Sequence, residues 1–328
     1  MMKRRRLLFA ICAAALLAPL PAIAQPQPKV YQVGILSPSN PASIGPLIDA
    51  FAQRLGELGD IEGKNIAIER RFAEGNLDRL PALAAELVQR KVDVIFAPNT
   101  VAVQAARQAA GTIPIVFATV DDPVGAGFIA SFSRPGGNIT GVSAIQRDLS
   151  AKRVELLREA FPKLSRLVVL TSPNESVSTL QFSEIEAAAK ALGMEVSAIQ
   201  VRRRDDFAPA LARMRDWRAD SIYPVSSAEN FFNRGLLAEF AAQARLPAIY
   251  SAEPYAYAGG LISYSPKSEA LFQGAATYVH RILQGAKPAD LPVEQPTRFQ
   301  LVINLKTAKA LGIEIPQSFL LRADEVIE

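Results

Sequence analysis

The sequence contains one cysteine, Cys12, and one histidine, His280, in 328 residues. A single cysteine forms no internal disulfide. Cys12 also lies inside an apolar N-terminal run, behind Phe9-Ala10-Ile11, whereas a lipid-accepting cysteine follows such a run behind a small residue. One histidine excludes multi-histidine metal sites, and a Ser-His-Asp triad would have to use His280. That residue falls within Ala275 to Leu283, a helical pattern in which a surface position is expected.

An excess of charge is missing from most of the chain. Lys3, Arg4, Arg5 and Arg6 account for the whole net charge of +4, and the first 24 residues hold no acid. The remainder is formally neutral, which removes the electrostatic basis for nucleic-acid binding. A long apolar run is also lacking. The stretch from Leu7 to Leu20 is shorter than the roughly 20 residues a spanning helix needs. With its basic start and the ending Ala22-Ile23-Ala24, the segment 1–24 reads as a secretory signal cleaved near Ala24. The expectation is an exported, periplasmic protein that is not a lipoprotein.

What is present is apolar material in quantity. Hydrophobic residues make up 49% and charged residues 21%, enough to build large cores. From Tyr31 onward, short apolar runs alternate with amphipathic segments, the signature of an α/β chain. Strands are expected at Tyr31–Leu36, Ile66–Arg70, Val92–Phe96, Ile115–Thr119 and Ile139–Ser143. Between them, Leu47, Ile48, Phe51, Leu55 and Leu58 share one helical face, with Ser43 as the expected N-cap, and Thr100–Ala110 gives a further helix.

After a helix near Ser150–Phe161 the alternation restarts. Strands at Leu167–Leu170, Val196–Val201, Ile222–Val225 and Ala248–Tyr250 alternate with helices at Ser176–Leu192, Phe207–Trp217 and Ala228–Ala244. A duplication is hinted at by Gly34-Ile35-Leu36-Ser37-Pro38-Ser39-Asn40 against Val168-Val169-Leu170-Thr171-Ser172-Pro173-Asn174. The pieces beyond Gly260, including a helix at Lys267–Leu283 and a run at Phe299–Ile303, are too few for a third domain. They are expected to return and complete both sheets.

In open parallel sheets ligands bind at the carboxyl ends of the strands. That rule selects Ser37, Ser39 and Asn40, then Pro98, Asn99 and Thr100, then Thr119, Asp121 and Asp122 in the first half. In the second it selects Ser172 and Asn174, Ser226, Ser227 and Glu229, and Tyr250, Ser251 and Glu253. Hydroxyls, amides and helix-start N–H groups suit a carboxylate, and the four acids suit an ammonium, so the set sketches a site for a zwitterion. Tyr223, Phe231, Tyr250, Tyr255 and Tyr257 could supply an aromatic wall. Each residue has a structural reading beside this one, because Ser, Asn and Asp also cap helices and turn loops.

Other patterns carry no chemistry. Arg134-Pro135-Gly136-Gly137-Asn138 lacks the lysine of a phosphate loop and reads as a tight turn. Arg202-Arg203-Arg204 is balanced by Asp205-Asp206, Trp217 sits structurally among charges, and no carboxylate pair has the context of acid–base catalysis.

Glu62-Gly63-Lys64-Asn65, Thr112-Ile113-Pro114-Ile115-Val116-Phe117, Asp122-Pro123-Val124 and Arg134 to Gly141 resemble blocks of the ABC-transporter substrate-binding family related to tryptophan and tyrosine uptake proteins. Leu291 to Pro296, Ile303 to Ala308 and Ala323 to Glu328 resemble its tail. The resemblance implies a type I periplasmic binding protein: two doubly wound parallel-sheet lobes joined by three crossing segments. These are expected near Ser143–Arg147, Ser251–Tyr255 and Lys287–Glu294, giving lobes of 29–145 plus 256–288 and 146–255 plus 289–328. It further implies capture of a small solute by hinge closure, an ABC permease as partner, no cofactor or metal, no enzymatic activity and a monomer. The alternative is a sensory module serving a membrane kinase or chemoreceptor. A secreted hydrolase using paired carboxylates is the weakest reading.

Overall fold

Four of the five apolar runs of the first half are buried on both faces, as strands inside an α/β layer must be, and the fifth, Ile66–Phe72, is half-buried beyond Ile66 at the sheet edge. The computed structural model describes residues 29–172, 176–201 and 204–328, so the leader, Asn174 and Arg202-Arg203 lie outside the described residues. Strands β1 (Tyr31–Ser37), β2 (Ile66–Phe72), β3 (Val94–Phe96), β4 (Ile115–Val120) and β5 (Ile139–Ser143) form an all-parallel sheet in the order β2-β1-β3-β4-β5. Successive side chains alternate between two cores: Val33, Ile35, Val94, Phe96 and Val116 face one, Leu36, Ile95, Ile115 and Phe117 the other. The second face is covered by helices α2 (Leu80–Gln89) and α3 (Thr100–Ala110). The first is covered by α1 (Pro41–Glu57) and by the much later helix Ser268–Leu283.

An aromatic column ties that later helix to the sheet. Phe51 stacks on Phe96 at 4.3 Å, and Phe272 meets Phe96 edge-on at 5.3 Å. Removing one such ring costs about 3–5 kcal/mol in comparable cores, so the late helix is an integral part of the first lobe.

Helix α1 begins two residues before the expected Ser43. Asn40 Oδ1 accepts the Ser43 N–H at 2.8 Å and is the N-cap, because Pro41 fits the first helical turn, where no N–H is needed.

The second lobe contains α4 (Ser150–Ala160), β6 (Arg166–Thr171), α5 (Ser176–Ala191), β7 (Glu195–Gln200), α6 (Phe207–Asp216), β8 (Ser221–Pro224), α7 (Ala228–Phe232), α8 (Arg234–Ala244), β9 (Ile249–Tyr250) and α9 (Glu253–Tyr257). The expected helix Ala228–Ala244 is thus two helices. At the break, the Asn233 side chain turns back and donates to the Glu229 carbonyl. Strand β10 (Ile262–Ser265), α10 (Ser268–Leu283), β11 (Gln300–Asn304), α11 (Leu305–Leu311), α12 (Gln317–Leu320) and β12 (Glu325–Ile327) follow. Strands β7-β6-β8 join β9-β10-β11-β12 through a bridge between Ile222 and Ala248. The sheet is parallel except that β11, with β12, runs opposite to β10.

The chain passes between lobes three times, and two passages differ from expectation. The first lies between β5 and α4. The second is Pro266-Lys267, not Ser251–Tyr255, because β10 pairs within the second sheet while α10 packs on the first. The third follows Glu294. Residues up to that point run beside β5, where Thr140 Oγ1 donates to Leu291 O at 2.7 Å and Ser143 N to Glu294 O at 2.8 Å. The first lobe is therefore residues 29–143 plus 267–294, and 256–266 belongs to the second. The expected surface histidine, His280, is half-buried and pairs through Nδ1 with Asp60 Oδ2 at 2.8 Å. Trp217 closes α6 and its carbonyl accepts Arg166 Nη1.

Candidate functional site

The carboxyl ends of both sheets face one another across a cavity. On the first-lobe side lie Ser39, Pro98, Asn99, Thr100, Thr119 and Asp121 from the strand ends, with Ile44 and Leu47 of α1 and Ser268, Leu271 and Phe272 of α10. On the second-lobe side lie Gln181, Ser226, Ser227, Ala228, Phe231, Ser251, Ala252 and Tyr255, and Gln146 of the first crossing lines the hinge end. The cavity volume is about 90 Å³.

The lobes touch at the mouth of this chamber. Arg234 Nη2 donates to the Ser43 carbonyl of α1 at 2.8 Å, while its guanidinium lies 4.8 Å over the Phe231 ring. Phe232 packs against Gly75 of the first lobe so closely that a methyl there would sit 2.5 Å from the ring. The arrangement is a closed one.

The polar wall is concentrated by the hinge. Both Asp121 oxygens accept the Arg147 N–H, at 2.9 and 3.0 Å. Burial pushes the Asp121 carboxyl up to about 6, although the Arg147 and Gln146 N–H groups and the nearby Arg153 charge favour its ionised form. Thr119 Oγ1 donates to Pro98 O at 2.8 Å, and Asn99 caps α3 by accepting the Ala102 N–H at 3.1 Å, leaving the first N–H groups of that helix for another acceptor. Opposite them, Gln181 is doubly committed to Ser226, accepting its N–H at 2.9 Å and donating to its carbonyl at 3.3 Å.

Of the residues selected from strand ends, Ser39, Asn99, Thr100, Thr119, Asp121, Ser226 and Ser227 line the cavity, as do Pro98 and Ser251. Seven others are committed elsewhere and are not in its wall. Ser37 Oγ accepts the Ser39 N–H, Asn40 caps α1, and Asp122 closes a turn on Gly125 N at 2.8 Å. Ser172 Oγ donates to the Glu229 carboxylate, both buried, and Tyr250 is buried in a stack with Tyr255 at 5.1 Å. Glu253 accepts Ser268 N at 2.7 Å, Ser268 Oγ at 2.9 Å and Ser265 Oγ at 3.3 Å. It caps the start of α10 from the other lobe, where the helix dipole favours a carboxylate, and burial pushes its own carboxyl up. Of the aromatic candidates, Phe231 and Tyr255 reach the cavity, and Tyr223, Tyr250 and Tyr257 do not.

Strand-end reasoning missed Gln146, Gln181 and the apolar wall of Ile44, Leu47, Leu271 and Phe272. Helical periodicity marks these last four as inward-facing, and Leu271 and Phe272 reach the cleft only through the return of α10 to the first lobe. Among the described residues no group of three His, Cys, Asp or Glu side chains is placed to hold a metal, and no helix is long and apolar enough to cross a membrane.

The family model described as ABC transporter substrate binding protein matches residues 32–327. The chain belongs to this family. It is 27% identical over 287 residues to a tyrosine-binding protein of Clostridioides difficile, covering 87% of this chain and 82% of that one. It is similar, with a TM-score of 0.83 and 27% identity, to a Streptococcus pneumoniae ABC domain solved in complex with L-Trp, covering 90% and 99% of the two chains. A ligand-free, open substrate-binding protein with adhesive properties from Clostridium difficile shares the fold with a TM-score of 0.66 and 24% identity over 91% and 99%. The expected fold, a type I periplasmic binding protein, is the one these comparisons give.

Proposed function

We propose that this chain is the exported solute-binding component of an ABC importer, and that it closes on a free amino acid with a bulky apolar side chain. One observation carries the reading. One interlobe chamber is lined by a carboxylate, Asp121, and hydrogen-bond donors, and also by Phe231, Tyr255, Phe272, Leu47 and Leu271. An α-ammonium and α-carboxylate suit the polar lining, and an aromatic or branched side chain suits the apolar lining. The L-Trp and tyrosine named for two relatives have this division of polarity.

Capture needs no chemistry. Closure is favoured only by contacts that the ligand makes to both lobes together, and the closed form would then dock on the permease. Mass spectrometry of molecules retained through purification, followed by calorimetry with the twenty common L-amino acids, tests the reading. L-tyrosine or L-tryptophan should bind with a Kd below about 10 μM. Silence toward every amino acid, with a retained solute lacking an α-ammonium and α-carboxylate, would refute it.

A further inference from the structure

Arg153 is fully buried on α4, and among the described residues its hydrogen bonds go to no carboxylate. All five of its N–H donors are committed to oxygens of neutral groups. Nε donates to Tyr264 O at 2.7 Å, and Nη1 to Gln146 O at 3.1 Å and Tyr223 Oη at 3.2 Å. Nη2 donates to Gln146 Oε1 and to Ser251 O at 3.4 Å. Its charge acts through space on the Asp121 carboxyl, and an anion at the neighbouring cavity wall would add to that compensation of a costly buried cation.

The contact with Gln146 decides what the cavity sees. A guanidinium only donates, so the Gln146 atom against Nη2 must be the carbonyl oxygen. The amide is thereby locked, its Nε2 is the atom that Arg153 does not engage, and the residue lines the cavity. The cation behind it polarises the amide and strengthens its N–H donors. Beside it, the Gln146 main-chain N–H acts on Asp121.

We infer that Gln146 is the donor that recognises the ligand's carboxylate, and that Arg153 is its positioning residue, fixing the amide and supplying the balancing positive charge. The inference rests on the amino-acid reading above and names the site within it that selects a carboxylate.

The test compares L-tyrosine with tyramine, which keeps the ring and ammonium but lacks the carboxylate. Calorimetry and competition on the full mature chain give both affinities. A charge-assisted hydrogen bond accounts for about 10- to 150-fold in affinity, so wild type should prefer L-tyrosine by at least tenfold. Gln146→Glu keeps the shape and gives Arg153 an ion pair, so it should fold, but it turns an acceptor toward the ligand. It should collapse that preference to threefold or less by weakening L-tyrosine binding alone. Arg153→Met, checked for folding by circular dichroism, should reduce the preference in the same direction, and Arg153→Lys should restore part of it. Equal losses for both probes in Gln146→Glu, or a preserved preference, would overturn the inference and leave Gln146 a structural residue. A wild-type chain that binds L-tyrosine without preferring it over tyramine would overturn it too. A wild-type chain that binds neither probe refutes the amino-acid reading itself, and the assignment falls with it.

Discussion

Asp121→Asn should stabilise the unliganded protein and weaken capture at the same time. Burial raises this carboxyl from an ordinary 3.8 to about 6, with Asp148 acting in the same direction and Arg147, Gln146 and Arg153 opposing. The folded value lies above the unfolded one, so protonation favours the fold. That contribution is complete below about pH 4 and is lost as pH rises through 6. Above pH 6 the ionised carboxylate is held at a cost on the order of 3 kcal/mol, at 1.36 kcal/mol per pH unit. Asparagine keeps an oxygen for the Arg147 N–H and removes the charge. The unliganded variant should therefore melt several degrees Celsius higher than wild type at pH 7.5 and level with it at pH 4. Ligand binding has the opposite sign, because an ammonium on Asp121 needs the ionised form. The wild-type Kd for L-tyrosine should rise by up to tenfold per pH unit below about 6 and stay flat above it. In Asp121→Asn, affinity should be lower by about 10- to 100-fold and without that slope. Calorimetric titration and scanning calorimetry from pH 4 to 7.5 at constant ionic strength measure both. Parallel pH profiles for the two proteins would show that Asp121 does not meet the ammonium.

Arg234→Ala removes the bond to the Ser43 carbonyl that spans the mouth. A hydrogen bond from a charged donor contributes about 1.5–3 kcal/mol, so ligand dissociation should quicken by tenfold or more with little change in association; stopped-flow rates that match wild type would remove the latch from the mechanism. Gly141→Ala places a methyl 2.1 Å from the Phe117 carbonyl at a backbone φ of +151°, where β4 and β5 approach closely. Urea unfolding should show a loss of more than about 3 kcal/mol, and a variant as stable as wild type would mean that the β4–β5 register differs from the one described.

Much of the fold is legible because apolar period and strand ends are local properties. The two-core alternation of β1, β3 and β4 follows from residues read two apart, and strand ends point to the crevice that Ser39, Asn99, Thr100, Thr119, Asp121, Ser226 and Ser227 line. What misleads is competition for the same polar groups. Asn40, Asp122, Glu253 and the Ser172–Glu229 pair have the side chains of a binding loop, but nearby or returning N–H and O–H groups claim them first. Nothing within the strand Ile262–Ser265 says which sheet it joins. Its pairing with β9 and β11 decides that, and moves the second crossing to Pro266. Gln146 and Arg153 are silent in the sequence for the same reason, since the partners that define them are as much as 111 residues away.

The first crossing and the polar lining share residues, and on the function proposed above this would link occupancy to closure. Ile145, in the first crossing, has a φ of +45°, a conformation that costs a β-branched residue about 1–3 kcal/mol. The residues on either side hold it there. Ser143 Oγ accepts the Ile145 N–H at 3.4 Å, and Asp121 accepts the Arg147 N–H with both oxygens. Between them, Gln146 is clamped by Arg153, which also grips the carbonyl of Tyr264 just before the second crossing. A ligand whose ammonium keeps Asp121 ionised strengthens the Arg147 bond, and one whose carboxylate draws on Gln146 strengthens the Arg153 clamp. Both act on the two crossing segments directly. The same ligand's apolar part, held between Leu271 and Phe272 of one lobe and Phe231 and Tyr255 of the other, supplies the contacts that exist only when the lobes meet. A solute with only the polar half or only the apolar half would engage one of these two devices, and by linkage it should shift the open–closed equilibrium by less than the sum of both.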